Sequence, residues 1–550
     1  MQSQRRRSSQ AQRYPPWNSL LVSTEGDNGG GGDTSAGGGA AALGSSTGAG
    51  GGSGGGFPAL SSNASAYLYP QNDATGLTQS SARLTLSASF TLFLAVVGSA
   101  ILPIPYAFRV AGLGLALGLT AAVWAVNVYT SVLLVRSCGY ASGEQTALGM
   151  EELASQALGA RARTAMQLSL CVLLFGNMCG SFSVIKEVGV SSVQHFIARR
   201  GEATLPWEDT LISEGGWRVL LILVVVIILP LCLLRRMRQL EAAAGVGVGV
   251  LFLLSGYLIV RSIQSGMPGL TPHEGYNPWI NISSSTPEAL GVLGFSFYLQ
   301  PQLLPMLREL PAGERGRRIL EASVVTTLAL TLLVYGVVGF FAAAHYGAAT
   351  AGNILENISG RFAPALDVLV SMYLAIGVPP TQFSLRCTIE DMLVGTGAPF
   401  SMFRHVVETV GAVAAAFLVA AFAPKDGSAM IFSITGATGV CLACYVLPIL
   451  IYMKMRRDSK AIGDSIAVDA DDAALIGGGG GGGTDARSSA DGADTLDVPL
   501  LPRQLLDRLG KRPRAGSSSG DCLNDTLPLV VMAVSVVMSI LALWGSLAAL

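Results

Sequence analysis

Charge is scarce in this sequence. Of 550 residues only 13% are Asp, Glu, Lys or Arg, against about 25% in an ordinary soluble domain. Half are hydrophobic, and the mean hydropathy is +0.51. Long apolar runs recur along the chain, which excludes a soluble enzyme with one anchor and implies a polytopic membrane protein. Histidine is scarcer still, with four copies at no ligand spacing. There is no phosphate-binding loop, zinc signature or nucleophile elbow, so the chain is not expected to be an enzyme or to hold a metal or cofactor. Eight cysteines are present, none in an extracytoplasmic loop of the topology read below, so disulfides are not expected. Cys441 and Cys444 form a C-x-x-C inside an apolar helix, where small-residue packing outweighs redox or metal chemistry. The run from Gly245 to Gly249 sits inside another apolar segment and reads as a packing face, not a nucleotide loop.

Eleven apolar segments are present, near 88–110, 113–136, 164–190, 217–234, 239–260, 287–307, 319–345, 362–385, 404–423, 428–453 and 527–548. Each approaches or exceeds the ~20 residues that cross a bilayer. This divides the chain into a disordered tail at 1–83, a core of ten spans at 84–455, a flexible polar linker at 456–526 and a last span at 527–548. The tail opens on Arg5-Arg6-Arg7 with no apolar run behind it, so it is not a signal peptide. Between the second and third segments, 144–163 has apolar residues near helical spacing and reads as a short amphipathic surface helix.

The basic residues orient the chain. With a cytoplasmic N-terminus, 27 of the 35 Lys and Arg fall on the cytoplasmic side and seven on the other, with Lys186 inside the third segment. The sequons at Asn281 and Asn357 then face away from the cytoplasm, where they are open to glycosylation. Those at Asn63 and Asn524 face it and are expected to be silent.

Two spans are interrupted. In the first, Gly98 and Ser99 are weak helix formers, and Pro103 and Pro105 each remove a backbone donor. A freed N–H or C=O costs several kcal/mol in hydrocarbon, so such a break belongs where it faces protein or a cavity. In the sixth, Gln300, Pro301, Gln302 and Pro305 interrupt an apolar span. A packing kink explains either alone. Breaks five helices apart fit an inverted repeat of five plus five spans, with half-helix ends offered to a substrate.

These stretches carry a resemblance. Val97-Gly98-Ser99-Ala100-Ile101-Leu102 with Pro105-Tyr106-Ala107-Phe108, Val184-Ile185-Lys186, Leu229 to Arg235, Phe295-Ser296-Phe297 through Glu309-Leu310, Gly347 to Leu355, and Pro379 with Arg386 stand in the order of the amino acid/auxin permease family. Within it, the chain resembles the system N/A neutral amino acid transporters over about 85–455. The resemblance implies an all-α LeuT-type fold, eleven transmembrane helices as a 5+5 repeat plus one, with a cytoplasmic N-terminus. It implies substrate contacts at Val97, Gly98, Ser99 and Ala100 for a carboxylate, and at Phe295, Ser296 and Phe297 for the amino group and side chain. Gln300 stands where the subgroup has a histidine and joins that set. Sodium-coupled members carry Asn and Thr where this chain has Leu94 and Ala375. The loss of two oxygen ligands turns the expectation from sodium to the proton as coupling ion.

The candidate proton carriers are Glu187, Asp367, His345 and Glu408. Intramembrane ionisable groups are functional by default. Each of these lies within a turn or two of a helix end, where snorkelling to the interface is the competing reading. The expected function is secondary active transport of neutral amino acids by alternating access. A sodium-coupled symporter and a non-transporting amino acid sensor, with the tails as signalling arms, are the alternatives. The expected partners are the amino acid, the coupling ion and the bilayer, with no nucleic acid. Acidic dileucine-like patterns at 471–476 and 497–501 point to a vacuolar or lysosomal membrane, with the plasma membrane as the other location.

Overall fold

The computed structural model describes residues 81–140, 149–200, 206, 216–233, 238–272, 276–360, 362–395, 401–424, 427–477 and 518–548. All belong to one compact unit, Ala59–Leu550. The expected tail up to residue 80, with Asn63, and the pattern at 497–501 lie outside them, as do the side chains of Asn524 and of 471–476.

The described chain is helical. The first apolar segment is two helices, α1 (Ser81–Val96) and α2 (Ile104–Ala111), joined through a 3-10 turn at Ser99–Ile101 and bent by 64°. Then come α3 (Leu113–Ser137), the short α4 (Met150–Leu158), α5 (Ala160–Arg200), α6 (Gly216–Cys232) and α7 (Arg238–Gln264). The sixth segment is also a pair, α8 (Thr286–Ser296) and α9 (Gln300–Glu309). It is followed by α10 (Glu314–Tyr346), α11 (Ala363–Leu393), α12 (Met402–Phe422) and α13 (Gly427–Thr435). A π-helical stretch, Gly436–Val446, runs from α13 into α14 (Leu447–Gly477), and α15 (Ser518–Ala548) completes the described chain. Seven helices among the described residues are long and apolar enough to cross a membrane, or eight if the bent pair is one span. The remaining apolar segments fall on α6, on α7 and on the α8–α9 pair.

The proline chemistry explains both pairs. Pro103 caps α2 and Pro105 lies in its first turn, while Pro301 lies in the first turn of α9. There a missing N–H is one of the donors that no intrahelical acceptor would have met. The surface-helix expectation corresponds to α4, which buries Met150, Leu153, Ala154 and Ala157. The last core helix runs on to Gly477, past the boundary expected at 455. An i,i+4 pair between Lys454 and Asp458 (2.7 Å) lies along that extension. The Gly245–Gly249 run is part of α7, but a Cβ on Gly249 would meet open space, so no close packing occurs at that glycine.

Close backbone packing occurs elsewhere. Gly176 and Gly180 on α5 lie directly beneath Thr435 and Phe432 of α13. A Cβ on Gly436 would come within 2.1 Å of the Gly291 carbonyl of α8. Small residues four apart let membrane helices approach to backbone contact. They seat α13 and the π stretch between α5 and α8. Lys186 and Glu187 then hold the α12–α13 corner. The Lys186 ammonium donates to the carbonyls of Ala420 (3.0 Å) and Ala423 (3.1 Å) at the end of α12. The Glu187 carboxylate accepts from the Ser428 amide (3.1 Å) and hydroxyl (2.7 Å) at the start of α13. A cation on a helix C-terminus and an anion on a helix N-terminus both match the helix dipoles.

Candidate substrate site

Between α1 and α2 the backbone stops following a helical ladder. The Val97 amide still donates to Phe93, and the Gly98 amide turns back to Val96 (3.0 Å). Ile101 and Leu102 donate to Gly98 (3.4 Å) and Ser99 (3.2 Å). The amides of Ser99 and Ala100 make no such bond among the described residues.

The carbonyls of the break are met by hydroxyls from three other helices. Tyr335 of α10 donates to Val96 (3.2 Å), Tyr373 of α11 to Val97 (3.4 Å), and Ser296 of α8 to Ala100 (3.4 Å). The Ser99 hydroxyl donates to the Asn177 amide oxygen of α5 (3.4 Å). Four helices therefore converge on four residues. On the far flank the Ile354 amide donates to Leu102 (3.3 Å), and Arg109 reaches the Ala348 carbonyl (3.5 Å). The loop between α10 and α11 thus lies over the end of the break that leads into α2.

The structure brings the Val97–Ala100 stretch together with Ser296, whose hydroxyl meets the Ala100 carbonyl. Phe297 joins them indirectly, edge-on to Tyr335 at 5.3 Å. Phe295 turns the other way and stacks on Phe432 at 4.7 Å. Gln300 is fully buried and engaged elsewhere. Its amide donates to Thr130 (3.0 Å) and Asn127 (3.4 Å) on α3, and its oxygen accepts from the Leu299 amide (2.9 Å). Asn127 in turn donates to Tyr445 of the π stretch (3.0 Å), whose hydroxyl donates to Gly294 (3.3 Å). This buried network fixes the second break to α3 from behind.

The four ionisable candidates occupy other places. Glu187 caps α13 as described. Glu408 lies 3.9 Å from Arg404, which also pairs with Glu390; Glu390 in turn pairs with Arg386 (3.0 Å). His345 Nδ1 lies 2.6 Å from the Ser265 hydroxyl at the end of α10. Asp367 is fully buried on α11, the helix that carries Tyr373. A carboxylate absent from the sequence reading, Glu288, is 3% exposed in the first turn of α8 and accepts from Tyr106 of α2 (2.9 Å). It joins the second half of the first broken helix to the first half of the second. Asn177, Tyr335, Tyr373 and Glu288 share one legible signal, a polar group inside an apolar run. The partner each one meets lies about 80 to 280 positions away in sequence.

A helical polytopic membrane protein with two interrupted helices meeting at a polar junction is the class this architecture defines. The chain belongs to the transmembrane amino acid transporter protein family, whose model matches residues 83–469. It is 24% identical over 397 residues to the sodium-coupled neutral amino acid symporter 2 of Danio rerio, covering 67% of this chain and 75% of that protein. It is 26% identical over 382 residues to the putative sodium-coupled neutral amino acid transporter 10 of Xenopus laevis. That match covers 66% of this chain but only 34% of the Xenopus protein, so the chain spans about a third of that relative's length. Among solved structures, the inward-facing conformation of Mhp1 aligns with a TM-score of 0.46 at 10% identity, over 67% of this chain and 76% of that one.

Proposed function

We propose that this chain is a secondary active transporter of neutral amino acids that works by alternating access around the α1–α2 break. Its core would be a five-plus-five inverted repeat followed by one further helix, eleven spans in all, with residues 1–83 and 456–526 as cytoplasmic tail and linker. The observation that carries the reading is the pair of amides at Ser99 and Ala100, uncommitted among the described residues, in a break whose carbonyls are met by hydroxyls of neighbouring helices. Backbone N–H groups at a helix start suit a carboxylate. The carbonyls of Val97 and Ala100, each with a second lone pair, suit an ammonium group. Val97, Gly98, Ser99 and Ala100 would hold the carboxylate end, and Ser296 with Phe297 the amino end and side chain. Gln300 would act from behind, through α3. The membrane would be vacuolar, lysosomal or plasma, with the N-terminus in the cytoplasm.

The coupling ion we propose is the proton. Leu94 and Ala375 present no side-chain oxygen. A hard cation at that level would have to rely on backbone carbonyls alone. The second reading is sodium coupling, favoured by the names of the Danio and Xenopus relatives. Flux of labelled amino acid into vesicles holding the purified protein separates them. A pH gradient with choline in place of sodium should drive accumulation. Flux that needs sodium and ignores the pH gradient supports the second reading, and binding without flux supports a sensor.

A further inference from the structure

The mouth of the groove between α1 and α10 is lined by Ser81, Thr85, Glu314, Arg315, Arg318 and Ile319 and is open to its surroundings. The two helices run side by side in the same direction. Thr327 and Ser323 of α10 donate to the carbonyls of Ser89 (3.0 Å) and Thr85 (3.1 Å) on α1, and Ser89 donates back to Ser323 (3.5 Å). Arg315 reaches the Ser81 hydroxyl at the groove mouth (3.4 Å).

The exposed face of each helix changes character along its length in the same sense. On α1 it passes from exposed Arg83 to Leu86 and Phe90, 67% and 60% exposed. On α10 it passes from exposed Arg315 and Arg318 through Ala322 and Val325 to Leu333. Both stripes follow the three- and four-residue spacing of one helix face. Two arginines, Arg315 and Arg318, therefore stand at the mouth of a groove beside which both helices continue as exposed apolar surface. One carboxylate, Glu314, offsets them in part, paired with Arg318 at 2.5 Å. Arginine forks match phosphate oxygens, and basic pockets between transmembrane helices at the membrane surface suit anionic headgroups.

We infer that this groove is a binding site for an anionic phospholipid, its phosphate at Arg315 and Arg318 and its acyl chains along the exposed apolar surface of the two helices. A lipid there grips α1, the helix that leads into the break, so its occupancy bears on the site without touching substrate. The inference does not depend on which ion or amino acid is moved.

The test is the affinity of the full-length protein for fluorescent phosphatidylserine and, separately, phosphatidylcholine in neutral detergent micelles. Phosphatidylserine should bind the more tightly. Each groove arginine should be worth roughly fivefold, so Arg315→Gln with Arg318→Gln should weaken phosphatidylserine about thirtyfold and leave phosphatidylcholine unchanged. Glu314→Gln removes the repelling carboxylate and should tighten phosphatidylserine, a gain that a misfolded variant would not give. Arg161→Gln, on an exposed arginine outside the groove, should change neither. An equal loss in Arg161→Gln would mean diffuse surface charge and overturn the site. Displacement by inorganic phosphate at the same concentration as the lipid would mean a free-anion site and overturn the lipid assignment.

Discussion

Two glycines 14 positions apart separate a functional constraint from a structural one. At Gly98 the backbone has φ −123°, on the side of the map that L-residues use. A Cβ there would meet one atom, the Tyr373 hydroxyl, at an ordinary 3.5 Å. Gly98→Ala should therefore fold without a side-chain clash. Its methyl group nevertheless sits against the Tyr373 hydroxyl, one and two residues before the Ser99 and Ala100 amides. A hydrogen bond to a charged group is worth about 1.5–3 kcal/mol, so displacing a carboxylate from one amide should weaken substrate roughly 10- to 150-fold. Gly112 is the opposite case. It has φ +81° and a Cβ would lie 2.7 Å from the Asn281 nitrogen and 2.8 Å from that of Ile280. It sits between α2 and α3, where the Leu113 amide donates to Pro278 (2.7 Å) and the Asn281 amide to Ala111 (2.9 Å). Gly112→Ala should cost about 1–3 kcal/mol in backbone strain before any clash is counted. Thermal unfolding of both purified variants, with substrate affinity from counterflow, reads the two effects apart. Unchanged affinity in a stable Gly98→Ala variant would refute the placement of the carboxylate at this break.

Three further outcomes are expected. Glu187→Gln keeps the shape of the side chain but loses the charge on the α13 cap, and should lower stability by about 1–3 kcal/mol with substrate affinity unchanged. Undiminished thermal stability together with lost pH-gradient stimulation would instead make Glu187 the coupling carboxylate. Gln300→Leu strands buried partners on Asn127, Thr130 and Leu299, so adding Asn127→Leu should cost less than the two single losses together, with about 0.5–3 kcal/mol of coupling in a thermal-stability cycle. In glycosylating cells Asn281→Gln should abolish a gel shift. Asn357 should contribute little to that shift, because its amide group bonds the Ala349 carbonyl (2.7 Å) and the Ala351 amide (2.6 Å); glycan on Asn63 or Asn524 would reverse the proposed orientation.

The interruptions were legible because they are local. Gly98, Pro103 and Pro301 announce where a helix must stop whatever surrounds them, and α1–α2 and α8–α9 separate near those points. The residues that give the first break its chemistry were not legible. Tyr335, Tyr373 and Asn177 each look like one polar residue in an apolar helix, and only the packing of α5, α10 and α11 turns them onto the same four residues. Gln300 shows the converse. Its sequence position pointed to the substrate, yet its side chain bonds α3, because a buried amide goes where it finds most partners.

Lys186 and Glu187 carry the same argument to the question of coupling. Two charges side by side in an apolar segment invite a reading as a proton relay or as a pair that snorkels. The structure gives them a third role, since each meets the end of a helix whose dipole favours its sign. Glu187 accepts both donors of Ser428, and the Ser183 hydroxyl points to it at 3.4 Å. Those contacts tie the start of α13 to α5, so the carboxylate has a structural role of its own. Under the proton-coupled proposal the carrier should act on the broken helices, and none of these contacts reaches them. Glu288 is the better one to test: it joins α2 to α8 through Tyr106, so a change in its charge acts on the contact between the two half-helices.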